Sequence, residues 1–421
     1  MKKYIMLMLM VLIIAGCNQK PIEPAPKEDY TKEFLGDWHG TMRLAEQDVP
    51  IKVYLTSETA EITWTTKEQE KTVFSNVTYD EHKVMGKIIR DEQEIEVEAE
   101  LTNHRIDGTY YSNEKSYPFT LVRGALIVEN SEEPFLVEVK GGQLTTTLLT
   151  PQLPKMPLYI IVGGSGPTTK DGNTEGLGKN NSYLQVAEAL ADEHIATIRF
   201  DKRGVGENKA LGLAEERMTF IDFIDDVAAI VEAAKKDERF SEVNLIGHSE
   251  GSLIALTVAQ QQGVDRIISL AGAGRPIDEV LVEQLKPRLD PKIMHEAQVI
   301  IDKLKKGERV DEVSEALQII FRPSVQPYMA SWMRLNPQEI IADLAMPILL
   351  VNGTTDLQVP VTDAELLKKA QPAAKLAIIE GMNHVLKQAP LAQEENIKTY
   401  TDETLPLHPQ LLEAITAFIN E

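Results

Sequence analysis

The sequence predicts an α/β protein in which a parallel sheet follows a smaller all-β domain, because three patterns succeed one another along the chain. Residues 34–125 contain short runs that alternate polar and apolar positions, as in 51–55, which is typical of a small antiparallel barrel or sandwich. Across residues 130–421, continuous apolar runs alternate with helix-like segments, and this indicates a parallel sheet covered on both faces. At about 275–346 several helix patterns follow one another, so we expect a helical insertion there.

The predicted strands of the parallel sheet are short and mainly apolar, and they lie at 158–162, 196–200, 243–246, 266–270, 347–351 and 375–379. The helices between them have apolar residues at three- and four-residue spacing, and they are predicted at 182–192, 220–236, 252–261 and 409–419. Within the insertion, helices are predicted around 277–289, 291–305, 310–320 and 325–335.

The composition excludes several classes of protein. Of 421 residues, 43% are hydrophobic and 26% are charged, which provides enough apolar material for a large core. Asp and Glu number 65 against 43 Lys and Arg, so the formal net charge is −22. Such a surface repels phosphate backbones, and we expect no nucleic-acid partner.

The N-terminal segment has the features of a bacterial lipoprotein signal. Two lysines follow the initial Met, residues 5–14 are apolar, and 14–17 (Ile-Ala-Gly-Cys) match the lipobox, in which the cysteine is diacylated and the chain is cleaved before it. The apolar run is shorter than the roughly 20 residues that span a bilayer, which favours a cleaved signal over a membrane-spanning helix. We therefore expect a signal peptide at 1–16, a lipid anchor on Cys17, a tether at 17–33 and location on the extracytoplasmic face of the cell membrane. An ordinary secretory signal or a short membrane anchor is the alternative.

Gly247-His248-Ser249-Glu250-Gly251 is a Gly-x-Ser-x-Gly sequence between an apolar strand and a helix pattern. A sharp strand-to-helix turn holds its serine in a strained conformation, and the residues two positions to either side must lack side chains. The serine hydroxyl then lies over the helix N-terminus, where backbone N–H groups favour developing negative charge. Ser249 is the predicted nucleophile.

A nucleophilic serine needs a base and an acid that orients the base. Turns of this kind are followed along the chain by the acid and then the histidine, each after a sheet strand. Asp356 comes after the next-to-last predicted strand, and His384 after the last one. Asp343 and Asp363 are weaker candidates for the acid, because one precedes the strand and the other lies in the following helix pattern. Of the eight histidines, only His384 follows a late strand in a tight polar turn.

Residues 163–167 (Gly-Gly-Ser-Gly-Pro), here called the oxyanion loop, follow the strand that ends at Val162. A turn this rich in glycine can present backbone N–H groups to the oxyanion of an acyl-transfer reaction. We expect the Ser165 N–H to be one donor, with Gly166 as the alternative, and the Glu250 N–H to be the other.

These blocks together resemble the α/β-hydrolase superfamily. The oxyanion loop with Asp-Gly-Asn at 171–173, Phe-Asp-Lys-Arg-Gly-Val-Gly-Glu at 200–207 and the turn at 247–251 are most similar to bacterial carboxylesterases related to the serine-aminopeptidase-like hydrolases. The resemblance implies an α/β-hydrolase fold with a helical cap, a Ser249–Asp356–His384 triad, and no metal or organic cofactor. It also implies that the 201–204 block is structural, with Asp201 and Arg203 available for buried pairing.

The expected function is that of a membrane-tethered extracytoplasmic serine hydrolase, a carboxylesterase that cleaves small to medium acyl esters through an acyl-enzyme. One alternative is a serine aminopeptidase or amidase, for which Glu250 is a candidate to bind a free amine. Another is a surface lipoprotein that binds a ligand and carries a vestigial hydrolase domain. The expected partners are a small-molecule ester and the membrane.

Overall fold

The computed structural model describes residues 30–44, 47–64, 71–80, 82–90, 93–102, 105–113, 115–123, 130–151, 153, 155–174 and 178–421. Cys17, the predicted signal peptide and most of the predicted tether lie outside these residues. The chain divides into two units between residues 126 and 127. No helix in the described ranges combines the length and hydropathy that crossing a bilayer requires.

The described part of the first unit is an antiparallel sheet that curls into a nearly closed barrel, as the alternating pattern predicts. Along 51–55 the odd positions are buried and Lys52 and Tyr54 face outward, so one face of the sheet forms the core. The strands are β1 (Gly36–Leu44), β2 (Gln47–Leu55), β3 (Ala60–Trp64), β4 (Lys71–Phe74), β5 (Val77–Asp80), β6 (Lys83–Arg90), β7 (Gln93–Thr102), β8 (Arg105–Ser112) and β9 (Lys115–Arg123). Their order is β4-β3-β2-β1-β9-β8-β7-β6-β5.

The second unit is built on an eight-stranded sheet in the order β10-β11-β13-β12-β14-β15-β16-β17. Its strands are β10 (Asn130–Val139), β11 (Gly142–Pro151), β12 (Met156–Val162), β13 (Ala196–Arg199), β14 (Phe240–His248), β15 (Ile267–Leu270), β16 (Ile348–Gly353) and β17 (Lys375–Ile379). Strands β12 to β17 are parallel, whereas β10 and β11 form an antiparallel hairpin at one edge. The sequence pattern did not predict this hairpin, because the largely exposed edge strand β10 lacks a continuous apolar run.

Helices cover both faces of this sheet. They are α1 (Ser182–Asp192), α2 (Phe220–Ala234), α3 (Glu250–Gln262), α4 (Ile277–Leu285), α5 (Pro291–Lys305), α6 (Gln318–Phe321), α7 (Gln326–Trp332), α8 (Pro337–Ala342), α9 (Val361–Ala370), α10 (Gln393–Lys398) and α11 (Pro409–Ile419). Helices α1 and α11 share one hydrophobic cluster with the sheet, and α2 and α3 share another. The six parallel strands therefore end at one edge of a sheet that is buried on both sides, which is where ligands bind in such folds.

Helices α4 to α8 form an insertion between β15 and β16. Helices α4 to α7 share a hydrophobic cluster of their own, whereas Ile340 and Ile341 of α8 belong to the cluster of α2 and α3. The continuous helix predicted at 310–320 is wrong. The side chain of Gln326 bonds both backbone groups of Val310, at 2.9 and 2.6 Å, and Glu296 accepts the N–H of Ser314 at 2.8 Å. Because these side chains take the backbone groups that a helix would use, helical structure begins only at Glu315.

Candidate active site

Ser249 lies in the turn between β14 and α3, in a conformation that is rare for residues other than glycine. Its φ is 55° and its ψ is −118°, and its N–H donates to the carbonyl of Leu270 at 2.9 Å. Neither flanking glycine has room for a side chain. A Cβ on Gly247 would lie 2.4 Å from the carbonyl oxygen of Gly251, and one on Gly251 would lie 2.1 Å from that of Val162. The packing of α3 against β12 therefore dictates the Gly-x-Ser-x-Gly spacing.

Gly251→Ala is expected to lower the free energy of unfolding by about 1–3 kcal/mol, the usual cost of overpacking. Alanine has a higher helix propensity than glycine, so a loss of stability would come from the steric clash of the added methyl group with backbone atoms of Val162 and Gly163. Urea denaturation measures the change. Gly212→Ala is the matched control, because its nearest neighbour would be 3.2 Å away. Equal stability of the two variants would contradict the packing argument.

Asp356 and His384 follow β16 and β17, and their side chains are hydrogen-bonded. His384 Nδ1 lies 2.8 Å from Asp356 Oδ2, while Oδ1 accepts the N–H groups of Gln358 and Val359 at 2.8 and 2.9 Å. Burial by itself raises the pKa of Asp356, but His384 and the two N–H groups outweigh it, and the pKa lies below its usual value. The carboxylate therefore stays ionised and accepts the Nδ1 proton, so that Nε2 is the nitrogen without a proton in the neutral His384 ring.

The two loops that carry these side chains are fixed to each other. The N–H of Thr355 donates to the carbonyl of Met382 at 3.1 Å, and the N–H of Gly381 donates to the hydroxyl of Thr354 at 2.9 Å. A Cβ on Gly353 would lie 1.9 Å from the Met382 carbonyl oxygen, so the chains approach as closely as glycine allows. This contact holds Asp356 beside His384.

Ser249 and His384 line one cavity of about 230 Å³ at the carboxyl ends of the strands. The side chain of Asp356 lies behind His384 and is fully buried. The cavity is lined by Gly164, Ser165, Thr168, Gly172, Thr174, Gly178, Asn180, Tyr183, His248, Ser249, Gln358, His384, Val385 and Tyr400. The structure thus brings the three residues predicted for the triad together at one site.

The two weaker candidates for the acid do not line this cavity. Asp363 is paired with Arg275 at 2.7 Å and accepts the N–H of Gly274. Asp343 accepts the side-chain amide of Gln260 at 2.9 Å.

The oxyanion loop also reaches the cavity. The N–H of Gly164 donates to the hydroxyl of Tyr183 at 3.0 Å. Within the described residues, the N–H groups of Ser165, Gly166 and Glu250 have no acceptor. Of the two loop residues predicted as alternative donors, Ser165 lines the cavity and Gly166 does not.

His248, which precedes the predicted nucleophile, links the loop to the site. Its Nδ1 lies 2.7 Å from the Tyr183 hydroxyl, and its Nε2 lies 2.8 Å from the carbonyl oxygen of His384. A carbonyl can only accept, so Nε2 carries the proton and Nδ1 accepts from Tyr183. Burial, and next the neighbouring His384, lower the pKa of His248 to about 3. His248 is therefore neutral and bridges Tyr183 and the backbone of His384 by hydrogen bonds, and it does not act as a base.

Acid is expected to destabilise the protein through His248. Its pKa is about 3 when folded and near 6.5 when unfolded, so the unfolded chain binds more protons between these values. This contribution to stability is complete above pH 6.5 and decreases as the pH falls towards 3. His248→Gln can replace both hydrogen bonds without titrating, so it should lose less stability than the wild type between about pH 7 and 4 in urea denaturation. Identical pH dependence of the two proteins would contradict this assignment.

The 201–204 block makes buried contacts, but the two residues singled out do not pair with each other. Arg203 pairs with Asp226, with Nε 2.8 Å from Oδ2. The Asp201 carboxylate accepts the N–H groups of Lys170 and Glu207 at 2.7 and 2.9 Å. Lys202, which the sequence did not single out, lies 2.7 Å from the carboxylate of Glu250. Such pairs depend on tertiary contacts, and no local pattern indicates them.

A mainly parallel sheet with a serine on a strand-to-helix turn, and with an Asp–His pair after two later strands, defines an α/β-hydrolase. The chain belongs to the family described as serine aminopeptidase, S33, whose model matches residues 176–388, half of the chain.

Among curated proteins, the chain is 25% identical over 244 residues to Esterase EstD of Thermotoga maritima. That match covers 55% of this chain and 54% of EstD, so the chain spans about half the length of this relative. Solved structures similar to this one include Est1E of Butyrivibrio proteoclasticus with bound ferulic acid, at 21% identity and a TM-score of 0.47, covering 68% of this chain and all of that one. An esterase of Pyrococcus furiosus matches at 15% identity with a TM-score of 0.45, covering 70% of this chain and 91% of that one.

Proposed function

We propose that the protein is a serine carboxylesterase acting on small to medium acyl esters. The observation that carries this proposal is the shared cavity of Ser249 and His384, with the His384 ring bonded to the buried carboxylate of Asp356. Nucleophilic acyl transfer requires a hydroxyl as nucleophile, a ring nitrogen that takes its proton and a carboxylate that orients the ring.

In the proposed reaction, His384 Nε2 takes the proton of Ser249 as Oγ attacks the ester carbonyl carbon. The negative charge that develops on the carbonyl oxygen is held by the N–H groups of Ser165 and Glu250. His384 then passes its proton to the leaving alkoxide, and an acyl-Ser249 ester remains. Water attacks this ester with His384 again as base, which releases the acid and regenerates the serine.

The contacts of Glu250 favour an uncharged ester over an aminopeptidase substrate. A free amine is bound by a carboxylate that pairs with it. The candidate for that role, Glu250, is buried and already paired with Lys202 at 2.7 Å, and it accepts a hydrogen bond from Tyr328. EstD, a relative, is named an esterase.

We further propose that helices α4 to α7, within the insertion predicted at 275–346, act as the cap. The insertion contacts the body close to the serine turn, through the bond of Tyr328 to Glu250 and through the Ser331 hydroxyl, which accepts the N–H of Phe220 at 2.8 Å. A segment anchored beside the nucleophile is well situated to limit the length of the acyl group.

The proposed site of action is the outer face of the cell membrane, with the chain held by a lipid on Cys17. The support is the lipobox at 14–17, which contains the single cysteine of the sequence. Expression in a bacterium with labelled palmitate is expected to label the wild type, and Cys17→Ser is expected to remain unlabelled. Equal labelling of both proteins would contradict lipidation at Cys17.

A substrate panel tests the proposed activity. We expect hydrolysis of p-nitrophenyl acetate and butyrate, with slower hydrolysis of long-chain esters because the cavity is small, and no activity in Ser249→Ala. Faster cleavage of aminoacyl p-nitroanilides would make the protein an aminopeptidase. No turnover of either class by folded protein would favour the ligand-binding lipoprotein.

A further inference from the structure

A buried ion pair lies directly behind the serine turn, outside the Ser–His–Asp constellation. Lys202 follows β13, Glu250 is the first residue of α3, and their side chains are 6% and 1% exposed. The Lys202 ammonium lies 2.7 Å from Glu250 Oε1, and Tyr328 donates to the other carboxylate oxygen. The ammonium also lies 4.6 Å from the centroid of the Phe223 ring.

Lys202 also donates to the carbonyl oxygen of Gly164, at 3.0 Å. That carbonyl belongs to the same peptide group as the N–H of Ser165, the proposed oxyanion donor. The preceding N–H, that of Gly164, is held by Tyr183, and the carbonyl also accepts the Thr168 hydroxyl at 3.3 Å. Two side chains, those of Lys202 and Thr168, therefore bond the peptide that bears the donor, and Tyr183 bonds the peptide before it.

A cation on a peptide carbonyl draws electron density from the amide and makes its N–H a stronger donor, and a low local dielectric strengthens the effect. The same ammonium bonds the side chain of Glu250, whose own N–H is the second proposed donor. One group thus connects the two segments that supply the donors and fixes their separation. A buried ion pair contributes little net stability compared with apolar residues of similar size, so stability alone is a weak reason for it.

We propose that Lys202 is a positioning residue of the oxyanion hole. It polarises the Gly164–Ser165 peptide and, through its bond to Glu250, fixes the distance between the two N–H donors. This inference rests on the proposed esterase function. Lys202 is not among the residues that line the cavity of Ser249 and His384, so it acts through the peptide and not on the substrate.

The test is the double variant Lys202→Met/Glu250→Gln, which removes both charges and leaves no buried ion unpaired. The matched control is Arg203→Met/Asp226→Asn. It removes the neighbouring buried pair, whose side chains are 0% and 3% exposed and which, within the described residues, makes no hydrogen bond to the oxyanion loop. For each protein, kcat and KM for p-nitrophenyl acetate and the affinity for a trifluoromethyl ketone, which forms a tetrahedral adduct with the serine, are measured. Fluorophosphonate labelling of the wild type at Ser249 is measured in parallel.

The Lys202/Glu250 variant is expected to lose about 10- to 100-fold in kcat, less than the loss of an entire donor, with KM changed by less than about twofold. Its affinity for the ketone should fall by a similar factor, because the adduct resembles the transition state. The Arg203/Asp226 variant should keep its kcat whatever its stability. If the Met/Gln pair does not fold, Lys202→Gln/Glu250→Gln, which retains a hydrogen bond between the side chains, carries the same expectation.

Unchanged kcat in the Lys202/Glu250 variant, or an equal loss in both double variants, would overturn the inference while the wild type still hydrolysed esters through Ser249. A wild type that neither labels at Ser249 nor hydrolyses esters would overturn the proposed function, and this inference with it.

Discussion

Ser249→Ala is expected to lower kcat for ester hydrolysis by about 10⁶-fold, because the triad acts as a unit and no acyl-enzyme can form without the hydroxyl. The fold should be unaffected, since the N–H of Ser249 and not its side chain bonds Leu270. Hydrolysis of p-nitrophenyl acetate by purified protein provides the measurement.

The matched control for this change is Ser314→Ala in the helical insertion. The Ser314 hydroxyl is buried without a hydrogen-bond partner in the described structure, so its loss should cost neither activity nor stability. Ester hydrolysis by Ser249→Ala at the wild-type rate would show that another residue is the nucleophile.

Asp356→Asn is expected to lower kcat by about 10⁴-fold. The amide keeps the volume of the carboxylate but has no charge to stabilise the imidazolium, and its NH₂ group favours the wrong tautomer of His384. The same assay applies, over the pH range in which the wild type is active.

Asp343→Asn is the matched control, because Asp343 is another carboxylate that the sequence offers as the acid. Its carboxylate bonds Gln260 away from the cavity, and the variant should therefore keep its activity. If Asp343→Asn were inactive and Asp356→Asn active, the acid would be assigned to the wrong loop.

The fold could be predicted where burial is complete. Strands such as β12 and β16 are covered on both faces, so they appear in the sequence as continuous apolar runs. The β10–β11 hairpin was missed because an edge strand exposed to water needs no such run. The helix predicted at 310–320 failed because Gln326 and Glu296 satisfy its backbone groups from other helices.

Some residues of the candidate site could also be predicted from the sequence, and others could not. Ser249, Asp356 and His384 could be named because each follows a recognisable strand and two of them lie in a tight turn. Lys202 could not, since its partner Glu250 is 48 positions away along the chain and its contact with Gly164 depends on the folded loop. The role of His248 could not be predicted either, because its two polar partners, Tyr183 and the His384 carbonyl, come from distant segments.

Covalent labelling with a fluorophosphonate tests the central claim, that Ser249 is an activated nucleophile, most directly. The adduct would be located in the tryptic peptide 240–266, in which fragmentation distinguishes Ser249 from Ser241 and Ser252. A single adduct on Ser249, strongly reduced in His384→Ala, is the result that we predict. Folded wild-type protein that does not react, or that reacts at another serine, would contradict the serine-hydrolase mechanism.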